Sequence, residues 1–136
     1  MHMRKLQLVA TLVTALLLLP AMAKDRPQLA DVAARQTHAL YKSGGLIALQ
    51  INSQDCHKYL EDKFFCIYLD TAAQQIDQSF ASAAGFPLSP YFSGDQFLER
   101  VGPILFDAGM NMQDANDFLR LSYALVELAL ERNADG

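Results

Sequence analysis

The sequence predicts a small all-α domain stapled by one disulfide bond, with four main helices after a cleaved signal peptide. Three observations support this prediction. First, apolar residues recur at helical spacing through most of the chain. Second, these segments are separated by glycines, prolines and capping residues. Third, both cysteines follow a segment that has the pattern of an export signal. No repeat or low-complexity stretch divides the remainder, so residues 24–136 are expected to form one domain with one core.

Residues 1–23 have the organisation of a secretory signal peptide. A basic start, "MHMRK", precedes the apolar run "LQLVATLVTALLLL", and Pro20 and the small-residue segment "AMA" follow it. The run is too short for a comfortable membrane span, so we expect cleavage after Ala23 and a mature chain that starts at Lys24. The residue directly after this site is Lys24 and not a cysteine, which argues against a lipid anchor. The predicted location is the periplasm, without a stable membrane anchor.

The charge of the chain argues against two classes of partner. The formal net charge is −4, and removal of Arg4 and Lys5 with the signal peptide takes it to −4 − 2 = −6. Nucleic acids and anionic membrane surfaces are poor partners for an acidic chain. The acidity raises only slightly the case for a basic protein partner.

The segment "CHKYLEDKFFC" contains both cysteines of the chain, Cys56 and Cys66. In an oxidising compartment two cysteines are most simply partners in a disulfide bond. Ten positions span about 15 Å along a straight helix, whereas a disulfide needs Cα atoms within about 7 Å, so the helix must break between them. A catalytic pair of Cys56 with His57 is less favoured because neighbouring side chains point in different directions. A closed zinc site is also less favoured, because the two cysteines and His57 supply only three of its four ligands.

The first predicted helix covers residues 27–42. Pro27 suits the first turn of a helix, and Gly44 and Gly45 end the periodic pattern. Residues 46–52, "LIALQIN", are too few to distinguish a buried helical turn from a strand, and "NSQD" after them indicates a break or a cap. The expected apolar face of the first helix comprises Leu29, Val32, Ala33 and Leu40.

The second predicted helix ends near Gly85 and Pro87. Polar residues at other positions of this helix, Asp70 and Asp77 among them, are expected to face solvent. Its apolar residues repeat at helical spacing: Phe65, Leu69, Ala72, Ala73, Ile76 and Phe80.

Capping residues mark the last two predicted helices. Ser93 and Gln96 form a capping-box pattern, so the third helix should begin at Gly94, and Pro103 should kink it. Asn111 is expected to cap the fourth helix. The expected inward residues are Phe97, Leu98, Val101 and Leu105 in the third helix and Ala115, Phe118, Leu119, Ser122, Leu125, Val126 and Ala129 in the fourth. One core should include Phe65, Leu69, Ile76, Phe97, Phe118 and Leu125.

The residues of the chain give little support to an enzyme, and we expect no catalytic site, cofactor or metal. There is no nucleophile elbow, zinc signature or glycine-rich phosphate loop. His38 and His57 are interpreted as ordinary surface or cap residues, and the serines near helix ends as capping residues. The carboxylate pairs, Asp70 with Asp77 and Glu127 with Glu131, are interpreted as solvated charge.

The order of segments from residue 43 to residue 130 can be compared with that of known families of small helical proteins. It runs "SGGLIALQ", a cysteine, "FFCIYLDTAAQQID", a proline-containing loop, "DQFLERVGPIL" and "ANDFLRLSYALVELAL". This order resembles the small periplasmic immunity proteins of the type VI secretion amidase-immunity (Rap/Tai) family. Cys56 and Cys66 match the family's cysteine pair, and Phe65 matches the aromatic residue that precedes the second. The resemblance implies an all-helical exported protein, typically a homodimer, that binds and blocks an injected peptidoglycan-cleaving cysteine amidase.

Two functional hypotheses follow, and the loop of residues 86–92 distinguishes them. In the first, the protein occludes the active site of a secreted peptidoglycan hydrolase; in the second, it is a non-enzymatic periplasmic scaffold or a helical module that binds a small ligand. Aromatic side chains on a proline-stiffened loop are suited to docking, whereas an enclosed apolar cavity would favour a small ligand. Four residues of this loop are either a hydrophobic plug of the fold, which is the somewhat favoured interpretation, or partly exposed anchors for a partner: Phe86, Leu88, Tyr91 and Phe92.

Overall fold

The computed structural model is all-α and describes the side chains of residues 26–134. The predicted signal peptide, residues 1–23, lies outside this range. The four helices are α1 (His2–Tyr59), α2 (Lys63–Ala84), α3 (Gly94–Asp107) and α4 (Met112–Asn133), and a short 3-10 helix (Pro90–Phe92) precedes α3. The predicted fold class and the number of main helices are confirmed.

Helix α1 is interrupted at Gly45, where the backbone has φ 68° and ψ −159°. A left-handed φ is accessible to glycine because it has no Cβ, so this position can change the direction of the helix without steric strain. The ambiguous segment of residues 46–52 is helical and continues to Tyr59. The break expected at "NSQD" was therefore wrong, since residues 52–55 lie inside α1.

The turn between α1 and α2 brings the two cysteines together. Helix α1 ends at Tyr59, α2 begins at Lys63, and the side chain of Asp62 caps α2 by accepting from the N–H of Phe65 at 3.4 Å. The Cα atoms of Cys56 and Cys66 are 5.7 Å apart, and the two residues form a disulfide bond. The predicted staple and the predicted helix break are both confirmed.

Helix α2 lies at the centre of the fold. Every residue from Cys66 to Ala73 is buried, so all faces of this part of the helix are covered, chiefly by α1 and α4. Such a helix occupies a core rather than a surface. Its last turn closes at Gly85 in the left-handed region (φ 71°), where the pattern predicted its end.

The starts of α3 and α4 agree with the predicted caps. Ser93 accepts from the N–H of Gln96 at 3.5 Å, and Asn111 accepts from the N–H of Asp114 at 2.8 Å. Helix α3 continues through Pro103 to Asp107. These local signals place both helices because each cap depends only on residues within one turn.

The buried apolar residues form two clusters rather than one core. The larger includes Leu69, Phe97 and Phe118, with Phe65 and Leu125 packed partly buried against it. The smaller consists of Leu49, Ala73 and Phe92, with Ile76 packed partly buried against it among others. The six predicted core residues are therefore divided between the two clusters.

Three residues expected on apolar inward faces are exposed: Val32, Phe80 and Leu98. In α1 the inward face carries the predicted Ala33 together with Ala30, Ala34 and Thr37. Small residues allow close approach of helix backbones, whereas the sequence pattern weights large apolar residues most heavily. Phe80 and Leu98 leave apolar surface in solvent, and Phe80 bears directly on the candidate site.

Among the described residues, no helix is long and apolar enough to cross a membrane.

Removal of the disulfide bond by Cys56→Ser is expected to lower the free energy of unfolding by about 2.5 to 3 kcal/mol. The reason is that a short closed loop removes conformational entropy from the unfolded chain. Urea denaturation of the exported protein with and without the substitution measures the change.

Mass spectrometry of the same exported sample should show a chain that lacks residues 1–23 and is two hydrogens lighter than its reduced form. Free thiols in that sample would contradict the prediction.

Candidate functional site

A buried polar network surrounds Asp70 on α2, whose side chain is 0% exposed. Its carboxylate accepts a hydrogen bond from Ser53 Oγ, lies 2.8 Å from His57 Nε2, and accepts from Arg100 Nε at 2.9 Å. Helix α1 supplies Ser53 and His57, and α3 supplies Arg100. The expectation that Asp70 faces solvent was wrong, because three partners from two other helices compensate the loss of water around its charge.

Tyr91 extends this network to the loop that precedes α3. Its hydroxyl lies 2.7 Å from Ser53 Oγ, its carbonyl accepts from Arg100 Nη1 at 2.7 Å, and the Arg100 guanidinium lies 3.9 Å from the centre of its ring. Burial raises the pKa of Tyr91 above its ordinary value, and this effect exceeds the opposing effect of the Ser53 hydrogen bond. The tyrosine side chain is thus held at both its ring and its hydroxyl.

The geometry of this network is suited to holding elements together. Ser53 and His57 bind different oxygens of the same carboxylate, whereas a serine nucleophile requires a hydrogen bond to the histidine that takes its proton. Ser53 is also buried, with 2% of its surface exposed. His57 was expected to be an ordinary surface or cap residue, and it is instead a largely buried partner of Asp70. Within residues 26–134, no cluster of three or more His, Cys, Asp or Glu side chains could hold a metal ion.

Two further side chains of α2 hold the loop of residues 86–92. Asp77, which is buried, accepts from the N–H of Ser89 at 2.9 Å, and Gln74 donates to the carbonyl of Phe92 at 3.1 Å. The solvated position expected for Asp77 was therefore also wrong. With Tyr91 held by Ser53 and Arg100, the second half of the loop is fixed to the helices beneath it.

The four predicted anchor residues have different environments. Phe86 is 60% exposed and Leu88 is 49% exposed. Tyr91 is half-buried in the network described above, and Phe92 is 2% exposed in the smaller core cluster. The loop therefore presents two apolar side chains to solvent and uses the other two to attach itself to the fold.

An open groove of about 860 Å³ lies beside this loop, between α1, α2 and α4. Phe80 connects the groove to the loop. Its ring stacks on that of Phe86, with the ring centres 5.8 Å apart, and packs edge-on against that of Tyr41, with the ring centres 6.4 Å apart. The larger and charged residues that line the groove are His38, Tyr41, Gln75, Ile76, Gln78, Phe80, Tyr123, Glu127, Leu130 and Glu131.

Some of these features could have been inferred from sequence and others could not. Cys66, Asp70, Ala73 and Asp77 recur at the spacing of one helical face, so the sequence places both aspartates on the same face of α2 as the disulfide cysteine. The role of Arg100 has none, because it lies 30 positions from Asp70. The groove likewise requires knowledge of how α1, α2 and α4 pack.

Comparison of the chain with known protein families, curated proteins and solved structures finds no match.

Proposed function

We propose that this protein is a non-enzymatic periplasmic immunity protein that binds an exported peptidoglycan amidase and occludes its catalytic cleft. The target class comes from the resemblance to the amidase-immunity family. The observation that carries the binding role is the loop of residues 86–92, where Phe86 and Leu88 are exposed while the following residues are anchored. A loop that is already fixed loses less conformational entropy when it docks.

The disulfide bond supports the cellular location in this proposal. A bond between Cys56 and Cys66 is consistent with an oxidising compartment, and disulfides are rare in the reducing cytosol. The location is the one in which a peptidoglycan hydrolase acts. The signal peptide predicted for residues 1–23 supports the same location.

The alternative of a module that binds a small ligand receives less support. An enclosed apolar cavity would favour that function. The groove between α1, α2 and α4 is open to solvent, and its lining includes two glutamates and several amide or hydroxyl groups. This shape is better suited to a segment of another protein.

Periplasmic expression of candidate amidases, with and without this protein, tests the proposal. We expect lysis by the cognate enzyme to be suppressed when the protein is present.

The double substitution Phe86→Ala with Leu88→Ala should weaken binding by about 2 kcal/mol or more, because exposed apolar anchors supply much of the energy of an interface. Isothermal titration with the purified amidase measures this change.

Leu98→Ala is the matched control, because Leu98 is 52% exposed on α3, outside the loop of residues 86–92. It should leave both protection and affinity close to those of the unchanged protein. Equal lysis with and without the protein, across the amidases encoded near it, would remove the immunity function. Equal losses from the loop and control variants would remove the role of the loop.

A further inference from the structure

The groove beside the loop combines apolar and acidic surface. On one side it has the rings of Tyr41 and Phe80, and on the other α4 supplies Glu127 and Glu131. Both glutamates are exposed, so their charge is available to a partner from solvent. Among the described residues that line the groove there is no lysine or arginine. Within this described lining the acidic side chains are Glu127 and Glu131, and the potentially basic one is His38 of α1.

The nearest basic residue on α4 is directed elsewhere. Arg132 Nη2 lies 3.8 Å from Asp31 Oδ1 on α1. Arg35 Nε lies 3.1 Å from Oδ2 of the same carboxylate. These arginines do not line the groove. Glu127 and Glu131 are four positions apart on one helix, and like charges at this spacing repel each other. Two cationic side chains of a partner, one at each glutamate, would offset this repulsion.

We propose that this groove binds a basic amphipathic helix of a partner protein, with its apolar face on Phe80 and its lysine or arginine side chains on Glu127 and Glu131. The spacing of the two glutamates is that of residues four apart on a helix, about 6 Å, so two cations at the same spacing on the incoming helix match them. A helix laid into a groove between helices is a common mode of peptide recognition. The stacking of Phe80 on Phe86 makes the apolar surface continuous with the exposed loop.

Charge selects this occupant over a second copy of the chain. Two copies that met through this groove would bring four carboxylates together, which is unfavourable. The proposal goes beyond the immunity function, since a basic helix can bind here whether or not the protein inhibits an amidase. It can therefore be tested without any amidase.

The probe is a synthetic 18-residue helical peptide that carries leucine on one face and lysine pairs four positions apart on the other. Fluorescence anisotropy with the exported, oxidised protein should show saturable binding of this peptide that weakens as salt is added. A peptide with glutamate at every lysine position should not bind. Absence of saturable binding of the lysine peptide, or equal binding of both peptides, would overturn the proposal.

Substitutions then locate the binding. The pair Glu127→Gln with Glu131→Gln should weaken binding of the lysine peptide about tenfold, because two ion pairs are lost. Phe80→Ser should also weaken it about tenfold through loss of an aromatic contact. The matched control, Glu61→Gln with Glu99→Gln, removes the same net charge at exposed positions outside the groove and should change the affinity less than twofold.

Equal weakening by the two glutamate pairs would show general attraction to an acidic protein and would overturn the proposal. Circular dichroism checks that each variant keeps its helical content. Analytical ultracentrifugation tests the competing occupant. If the unchanged protein is a dimer that Phe80→Ser converts to a monomer, and the lysine peptide does not bind, the groove is covered by a second copy.

Discussion

Replacing Asp70 by alanine is expected to lower the free energy of unfolding by about 3 to 5 kcal/mol. Removal of one partner of a buried ion pair leaves the other charge without compensation in a medium of low polarity. Here the remaining charge is Arg100, whose Nε atom lies 2.9 Å from the carboxylate and whose side chain is largely buried. Ser53 and His57 also lose their acceptor. Urea denaturation followed by circular dichroism measures the change.

Two related variants separate the network from a general effect of mutation. Glu99→Ala, at an exposed position in the middle of α3, should change stability by no more than about 0.5 kcal/mol. His57→Ala removes one of three partners and should have an effect of about 1 to 2 kcal/mol, smaller than that of Asp70→Ala. A stability of Asp70→Ala within the range of the Glu99 control would contradict a structural role for this carboxylate.

The loss of Asp70 should also affect the loop of residues 86–92. Arg100 and Ser53 hold both Asp70 and Tyr91, so the carboxylate fixes the two side chains that fix the tyrosine. Phe86 and Leu88 precede this anchored segment. The buried network and the exposed loop are therefore parts of one arrangement, in which the interior of the fold determines the shape of the surface that would dock.

The helices could be predicted from sequence where the signals are local. Ser93 and Asn111 cap helices through bonds within one turn, and Gly85 ends α2 through its own backbone conformation. The continuation of α1 past Gly45 could not be predicted, because residues 46–52 are too few to show a period. Packing against the smaller core cluster, in which Leu49 is buried, stabilises this segment as a helix.

The polar network could not be predicted because its partners are distant in the sequence. A carboxylate on a helix is usually solvated, and only the approach of α1 and α3 makes burial of Asp70 favourable. The same dependence on packing explains Phe80. Its spacing in α2 matches the apolar face, yet the ring lines the open groove between α1, α2 and α4 and is 38% exposed.

Replacing Phe118 by alanine is expected to lower the free energy of unfolding by about 3 to 5 kcal/mol, because a large side chain is removed from a packed interior and leaves a cavity. Phe118 lies in the larger core cluster, where its ring packs edge-on against Phe64 at 5.7 Å and Tyr68 at 6.2 Å. The Arg26 guanidinium lies 4.9 Å from the ring centre and covers it from α1. The substitution therefore removes contacts that join α4 to both α1 and α2. Thermal and urea denaturation measure the loss of stability.

Leu121→Ala is the control for Phe118→Ala on the same helix, since Leu121 lies three positions further along α4 and is 45% exposed. Its truncation should have an effect of less than about 1 kcal/mol because much of the side chain is already in water. Phe118→Leu should fall between the two, since leucine fills part of the cavity but cannot form the edge-on ring contacts. An equal loss of stability from Phe118→Ala and Leu121→Ala would mean that the larger cluster does not hold α4 against α1 and α2. The ordering of the three variants thus tests the packing itself, independently of any partner that the protein binds.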